Sequence, residues 1–185
     1  MTGDHVARIP SGGLRQLGPI NWVFAKLGAR TMRVPEMHLF TTLGRRQGLY
    51  WAWLIYGARL LRGRLCRADT ELVILRVGQL RSCEYELQHH RRIGRQAGLD
   101  AALQAAIFAW PAVPEGHALS ARQQALLQAT DELILDRSIT AATWQRLAAH
   151  LNPPRLIEFC FLATHYDGLA ATIKALQIQL DKPAD

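Results

Sequence analysis

The sequence is short of cysteine, short of lysine and free of long uncharged apolar runs, and each shortage excludes something. Three cysteines (Cys66, Cys83 and Cys160) stand far apart in 185 residues, an odd number that builds no disulfide framework. No intrachain disulfide is expected, and Cys83 is expected to be the one readily alkylated thiol. No stretch of about 18 residues is apolar and uncharged, so no transmembrane helix and no membrane partner are expected. The first thirty residues contain Asp4, Arg8 and Arg15 without a continuous apolar segment, so no secretory leader is expected. A hydrophobic share of 49% against 20% charged residues excludes a disordered or collagen-like chain. A reduced, cytoplasmic protein of ordinary domain size is the resulting expectation.

Lysine scarcity also shapes the charge. Nineteen of the 22 cationic residues are Arg, and the formal net charge is +7. Residues 1–100 hold sixteen Lys/Arg against seven Asp/Glu, whereas residues 101–185 hold six against eight. A basic half can meet phosphates, but no helix-turn-helix, zinc-finger or stacking-platform pattern accompanies it. No nucleic-acid partner is expected. A basic subunit surface, or a pocket that attracts anionic substrates, accounts for the charge better.

Residues 1–34 mix Gly, Pro, Arg and apolar residues without sustained periodicity and read as an extended N-terminal arm. From Pro35 to the end a single helical domain is expected. Residues 48–62 are apolar nearly all round, which suggests a buried or interface helix. Leu49, Tyr50, Trp51, Trp53, Leu54, Ile55 and Tyr56 there predict a homo-oligomer with some of these aromatics at subunit contacts. Asp69 is placed to cap a helix from Thr70 to about Leu80. A strand reading of its ELVILRV run is rejected because no second strand candidate exists to pair with it. The next helix runs from about Cys83 to Ala97, closed by Gly98. Asp100 starts a short helix to about Phe108, and Trp110 to Gly116 reads as a loop. Ser120 and Thr140 cap two further helices, the second reaching Leu151, and Pro153-Pro154 opens a last one that extends to about Leu180. The fold class expected is all-α.

The informative stretch is ELVILRVGQLRSCEYELQHHRRIGRQAG, from Glu71 to Gly98. On a helix Cys83, Glu86 and His90 stand at i, i+3 and i+7, within about 60° of one another. A thiol, a carboxylate and an imidazole would share one stripe. His90 can exchange a proton near neutral pH. Glu86 can orient it, or act as the base itself if burial raises its pKa. Cys83, in the first turn, would feel the helix dipole that favours a thiolate. Bland readings stand beside these: Glu–His at i,i+4 is a common surface pair, and a lone Cys is commonly core filler. No metal is expected, since His89 and His90 diverge and no ligand pair at zinc spacing appears. His165 and Glu158 are core or surface residues with nothing to tie them to a metal.

The run from Arg67 to Gly98 resembles the carboxymuconolactone decarboxylase and alkylhydroperoxidase D (AhpD)-like superfamily, and the likeness extends from about Leu39 to Leu180. The stretch LIEFCFLATHYDGLAATIKAL is similar to that family's closing helix. The resemblance implies an AhpD-like helical bundle that assembles as dimers, trimers or hexamers, with active sites near subunit contacts. The peroxidase branch carries Cys-x-x-Cys-x-x-x-His with a Glu twelve residues before the first Cys. Cys83, His90 and Glu71 match those positions, while Glu86 replaces the second Cys and Tyr85 a relay His. Without the second thiol no Cys-x-x-Cys disulfide can form. The decarboxylase branch carries Glu-x-x-x-His, matched by Glu86 and His90.

Three functions follow as expectations. The leading one is a cofactor-free lyase or isomerase acting on a small organic acid or lactone. Glu86 and His90 would transfer protons to and from a developing enolate, with Cys83 and Glu71 in the same catalytic group. Tyr85 and Arg81 would bind the small-molecule substrate, Arg81 and Arg76 being suited to hold a carboxylate bidentately. The second is a thiol-dependent peroxidase in which Cys83 forms a sulfenic acid resolved by an external thiol. The third is a non-catalytic oligomeric or ligand-binding protein in which the stripe is a packing network.

Overall fold

The computed structural model describes residues 6–112 and 119–182. Among them are nine α-helices and no strand, so the all-α expectation holds. The helices are α1 (Leu14–Met32), α2 (His38–Leu43), α3 (Gln47–Leu61), α4 (Arg67–Leu80), α5 (Glu84–Gln96), α6 (Ala101–Ala109), α7 (Ala121–Leu135), α8 (Ala141–Ala148) and α9 (Pro153–Leu176). The chain divides into two compact units, one of Met1–Gly57 with Thr172–Asp185 and one of Ala58–Ala171.

In the first unit α1 replaces the extended segment expected before residue 35. Its buried residues Leu17, Asn21, Ala25 and Ala29 recur every fourth position. They are mostly small, and the larger apolar residues Ile20, Val23, Phe24 and Leu27 are exposed, so the buried stripe is not the apolar one. Gly18 breaks the helix at φ 75°, a left-handed backbone that glycine adopts without a Cβ clash. Pro19 then restarts it, in the position where its missing N–H costs nothing. Asn21 Nδ2 donates to the Gly44 carbonyl at 3.1 Å, which ties α1 to the end of α2. The C-terminal segment is fixed by Asp181, whose Oδ1 accepts from the His38 backbone N–H at 2.8 Å and lies 2.7 Å from His38 Nδ1. The aromatic run of α3 is partly used inside the chain. Tyr50 is buried and packs edge-on to Phe40, while Leu49, Ile55 and Tyr56 remain exposed.

In the second unit α4 is the central element, packed against α5, α6 and α7. Every residue from Asp69 to Gly78 is buried, which explains an apolar run with no polar face. Asp69 is not its cap. The helix begins at Arg67 with Cys66 as N-cap, because the Asp69 carboxylate is drawn to Arg122, whose Nε donates to it at 2.9 Å. Gly98, at φ 96°, ends α5 as expected, with the Leu99 N–H reaching back to the Gly94 carbonyl at 2.9 Å. Asp100, Ser120 and Thr140 cap α6, α7 and α8 through their side chains. Helices α8 and α9 stop earlier than expected. Beyond α9, Gln177 turns left-handed and the Ile178 N–H closes onto Ile173. Of the loop expected from Trp110 to Gly116, residues 110–112 form a turn and the rest lies outside the described residues.

None of Cys66, Cys83 and Cys160 is in a disulfide. Their exposure corrects the reactivity expectation: Cys83 is 1% exposed, Cys160 half-buried and Cys66 exposed. The helical turn that was to activate Cys83 also buries it. Alkylation of the native protein should therefore reach Cys66 first, slowly at neutral pH because burial of part of its surface raises the thiol pKa. Cys83 should react only after unfolding. Peptide mapping after a timed iodoacetamide pulse that finds Cys83 modified before Cys66 would contradict this burial.

Candidate active site

Glu71, Glu86 and His90 come together between α4 and α5. Glu71 lies on α4, four residues after Arg67, and Glu86 and His90 lie one turn apart on α5. Gly78 faces α5 at close range: a Cβ there would stand 3.0 Å from Leu87 Cδ2, so Leu87 would have to give by a few tenths of an ångström. The connection is tight: the Cys83 N–H donates to the Gly78 carbonyl at 2.8 Å, and Ser82 adopts a left-handed φ of 46°.

His90 Nδ1 is 2.7 Å from Glu71 Oε2, a buried hydrogen bond. On the other side His90 Nε2 is 3.5 Å from Glu86 Oε2, close enough for charge attraction but longer than a hydrogen bond. The side chains of Glu71, Glu86 and His90 are 0%, 5% and 9% exposed. Arg67 is the solvent-facing neighbour, its side chain 45% exposed and its Nη2 3.1 Å from Glu71 Oε1. That contact is an ion pair without hydrogen-bond alignment, so among the described residues Glu71 Oε1 accepts no hydrogen bond. The Tyr166 ring from α9 stands edge-on to His90, centroids 5.3 Å apart.

Burial is the largest influence on His90 and would lower its pKa. The Glu71 hydrogen bond and the charges of Glu71 and Glu86 outweigh it, and the ring is raised above 6.5. Burial pushes the Glu86 carboxyl up, against the opposing pull of His90 and His89. Burial, then the charges of Glu86 and Glu71, hold the Tyr166 phenol well above 10. The sign of the His90 effect gives a stability prediction. A raised folded-state pKa means the native chain binds its proton more tightly than the unfolded chain does, so this stabilisation is complete below 6.5 and fades as pH rises through the raised value. The stability advantage of the parent protein over His90→Gln should shrink across that range in urea titrations. An advantage that grows there would show that the two carboxylates do not hold the ring's proton.

The other expected site residues sit differently. Cys83 is the N-cap of α5, with φ −97° and ψ 85°. The helical spacing that placed it on one stripe with Glu86 and His90 therefore does not apply at that residue. Tyr85 is buried, its ring edge-on to His89 at 5.3 Å. Arg81 is committed elsewhere: its Nε donates to Asp167 Oδ1 at 2.5 Å and its Nη2 to the Ile134 carbonyl at 2.6 Å. Arg76 makes the bidentate pairing expected for a substrate carboxylate with Asp131 instead, at 2.6 and 2.7 Å. Glu158 accepts from the Arg64 and Leu65 N–H groups, at 2.7 and 2.9 Å. His165 is lowered by burial and packs against Tyr166. Among the described residues no group of His, Cys, Asp and Glu has the arrangement of a metal site. Sequence reasoning missed Arg67 and Tyr166. The i,i+4 spacing of Arg67 to Glu71 was a usable signal, whereas nothing in the HYDG stretch singles out Tyr166.

An all-helical protein with a carboxylate–imidazole–carboxylate cluster buried between two adjacent helices is the class that fold and site define. Residues 47–132, a stretch that contains Glu71, Cys83, Glu86 and His90, match the model of the carboxymuconolactone decarboxylase family. Two solved structures share the fold nearly end to end. An uncharacterized peroxidase-related protein from Ralstonia eutropha JMP134, with an alkylhydroperoxidase D core, is 14% identical at a TM-score of 0.80, covering 96% of this chain and 94% of its own. An uncharacterized peroxidase-related protein from Silicibacter sp. TM1040 is 15% identical at 0.78, covering 97% and 96%. A protein of unknown function from Agrobacterium tumefaciens is 16% identical at 0.65, covering 71% and 90%. No curated protein is significantly similar in sequence.

Proposed function

We propose that the protein is a cofactor-free proton-transfer enzyme, a lyase or isomerase acting on a small organic acid or lactone. The observation that carries this reading is the state of His90: Nδ1 is held by buried Glu71 at 2.7 Å, while Nε2 faces Glu86 across 3.5 Å without a hydrogen bond. Glu71 fixes the Nδ1–H tautomer and stabilises the imidazolium when it forms. Nε2 is then the atom that takes or returns a proton at a substrate carbon or enolate oxygen. Glu86, with a raised pKa, holds the second proton. One such pair supplies both the base and the acid that an enolate intermediate needs. The family match over residues 47–132 supports a small acid or lactone as the substrate class.

A thiol-peroxidase reading rests on Cys83 alone. Glu86 stands where a Cys-x-x-Cys pair would have its second thiol, and Cys83 is 1% exposed. The test is isotopic. Small β-keto acids and unsaturated lactones incubated with the protein in D2O should gain deuterium at the carbon next to the carbonyl, or lose CO2, faster than in buffer. Hydroperoxide consumption with an added dithiol, and no exchange or decarboxylation on any member of the panel, would overturn the assignment.

A further inference from the structure

A second candidate site lies inside the unit of Met1–Gly57 with Thr172–Asp185. A cavity of about 250 Å³ is lined by Trp22, Ala25, Lys26, Ala29, Glu36 and Thr41, among others. It exists because α1 turns Ala25 and Ala29, one turn apart, toward its floor, where methyl groups leave room that larger side chains would fill. Two opposite charges line it, and they do not meet. Lys26 Nζ stands 5.8 Å from the centre of the Trp22 ring and has no carboxylate partner among the described residues. Lys26 is also one of only three lysines in the chain. Glu36 accepts a hydrogen bond from Thr41 Oγ1 at 2.8 Å through Oε1, and no cation of the described residues pairs with it. His38 is within electrostatic range of Glu36, but its own carboxylate partner is Asp181, at 2.7 Å.

Charge bookkeeping limits what such a cavity holds. A simple anion would satisfy Lys26 and be repelled by Glu36, and a simple cation the reverse. An apolar guest would strip water from both and satisfy neither. We propose that the cavity binds a small zwitterion, an amino acid whose carboxylate meets Lys26 and whose ammonium meets Glu36. The carbon chain lies over Ala25 and Ala29, and Thr41 holds Glu36 in place.

The experiment is calorimetric titration of the full chain with glycine, β-alanine, 4-aminobutyrate, 6-aminohexanoate and L-leucine, with butyrate and butylamine as single-charge controls. This series varies the separation of the two charges. At least one amino acid should bind saturably and more tightly than either control. Lys26→Met and Glu36→Gln should each weaken that binding about fivefold, the effect of one partly exposed ion pair. Both positions face solvent at least in part, and thermal melts confirm that the variants fold. Three results overturn the proposal: no member of the series binds, butyrate binds as tightly as 4-aminobutyrate, or both variants bind like the parent protein.

Discussion

Replacing His90 by Gln is expected to lower turnover by about 10²- to 10⁴-fold, the usual contribution of a positioned acid–base group. Gln retains a hydrogen-bonding group opposite Glu71 Oε2 but has no nitrogen that titrates near neutrality. Glu86→Gln removes the other ionisation and should cost a similar factor. Because Nε2 and Glu86 lie 3.5 Å apart in a buried setting, their protons are coupled. The pH–rate profile should show two apparent ionisations that belong to the pair rather than to either residue. Cys83→Ala should retain most of the activity, since nothing in the proton path needs its sulfur. If Cys83→Ala abolishes turnover while His90→Gln keeps most of it, the chemistry is that of the thiol.

The second large effect concerns stability. Arg76 is buried in α4 and makes a two-pronged pair with Asp131, their side chains 6% and 16% exposed. Arg76 Nη1 also donates to Gln79 Oε1 at 3.1 Å. Asp131→Ala leaves this guanidinium buried without its counter-charge, and a broken buried pair typically costs about 3–5 kcal/mol. Urea unfolding should show a loss of that size. Replacing both partners together, with Met at 76 and Leu at 131, should recover much of it, because both the stranded charge and its desolvation disappear. A loss under about 1 kcal/mol for Asp131→Ala, the range of an exposed pair, would mean that water reaches Arg76 in solution.

The sequence revealed the helices wherever a capping residue preceded a strongly apolar period. Asp100, Ser120 and Thr140 each announced a helix and each accepts from the backbone N–H three residues on. It concealed α1, whose buried stripe is built on alanine and asparagine. Asp69 misled for a related reason: a carboxylate near a helix start can serve a cap or an arginine, and the arginine lies 53 residues away. The Glu86–His90 pair followed from spacing along one helix. The partnership of His90 with Glu71 spans two helices, so local periodicity cannot contain it, and only the family resemblance pointed there. Arg76 and Arg81 were read as free because their carboxylates, Asp131 and Asp167, are distant in sequence. Tyr166 was invisible, since its role arises only when α9 brings its ring against His90.

Gly78 decides more than helix packing. Glu71 and His90 ride on different helices, so their 2.7 Å contact follows the distance between two backbones, and a methyl group at residue 78 would press on Leu87 in that gap. Acidity at this cluster is therefore a mechanical property of the helix pair. An evolving lineage can adjust it from residue 78 or from Leu87 without touching an ionisable group, and a survey confined to charged residues would overlook the change.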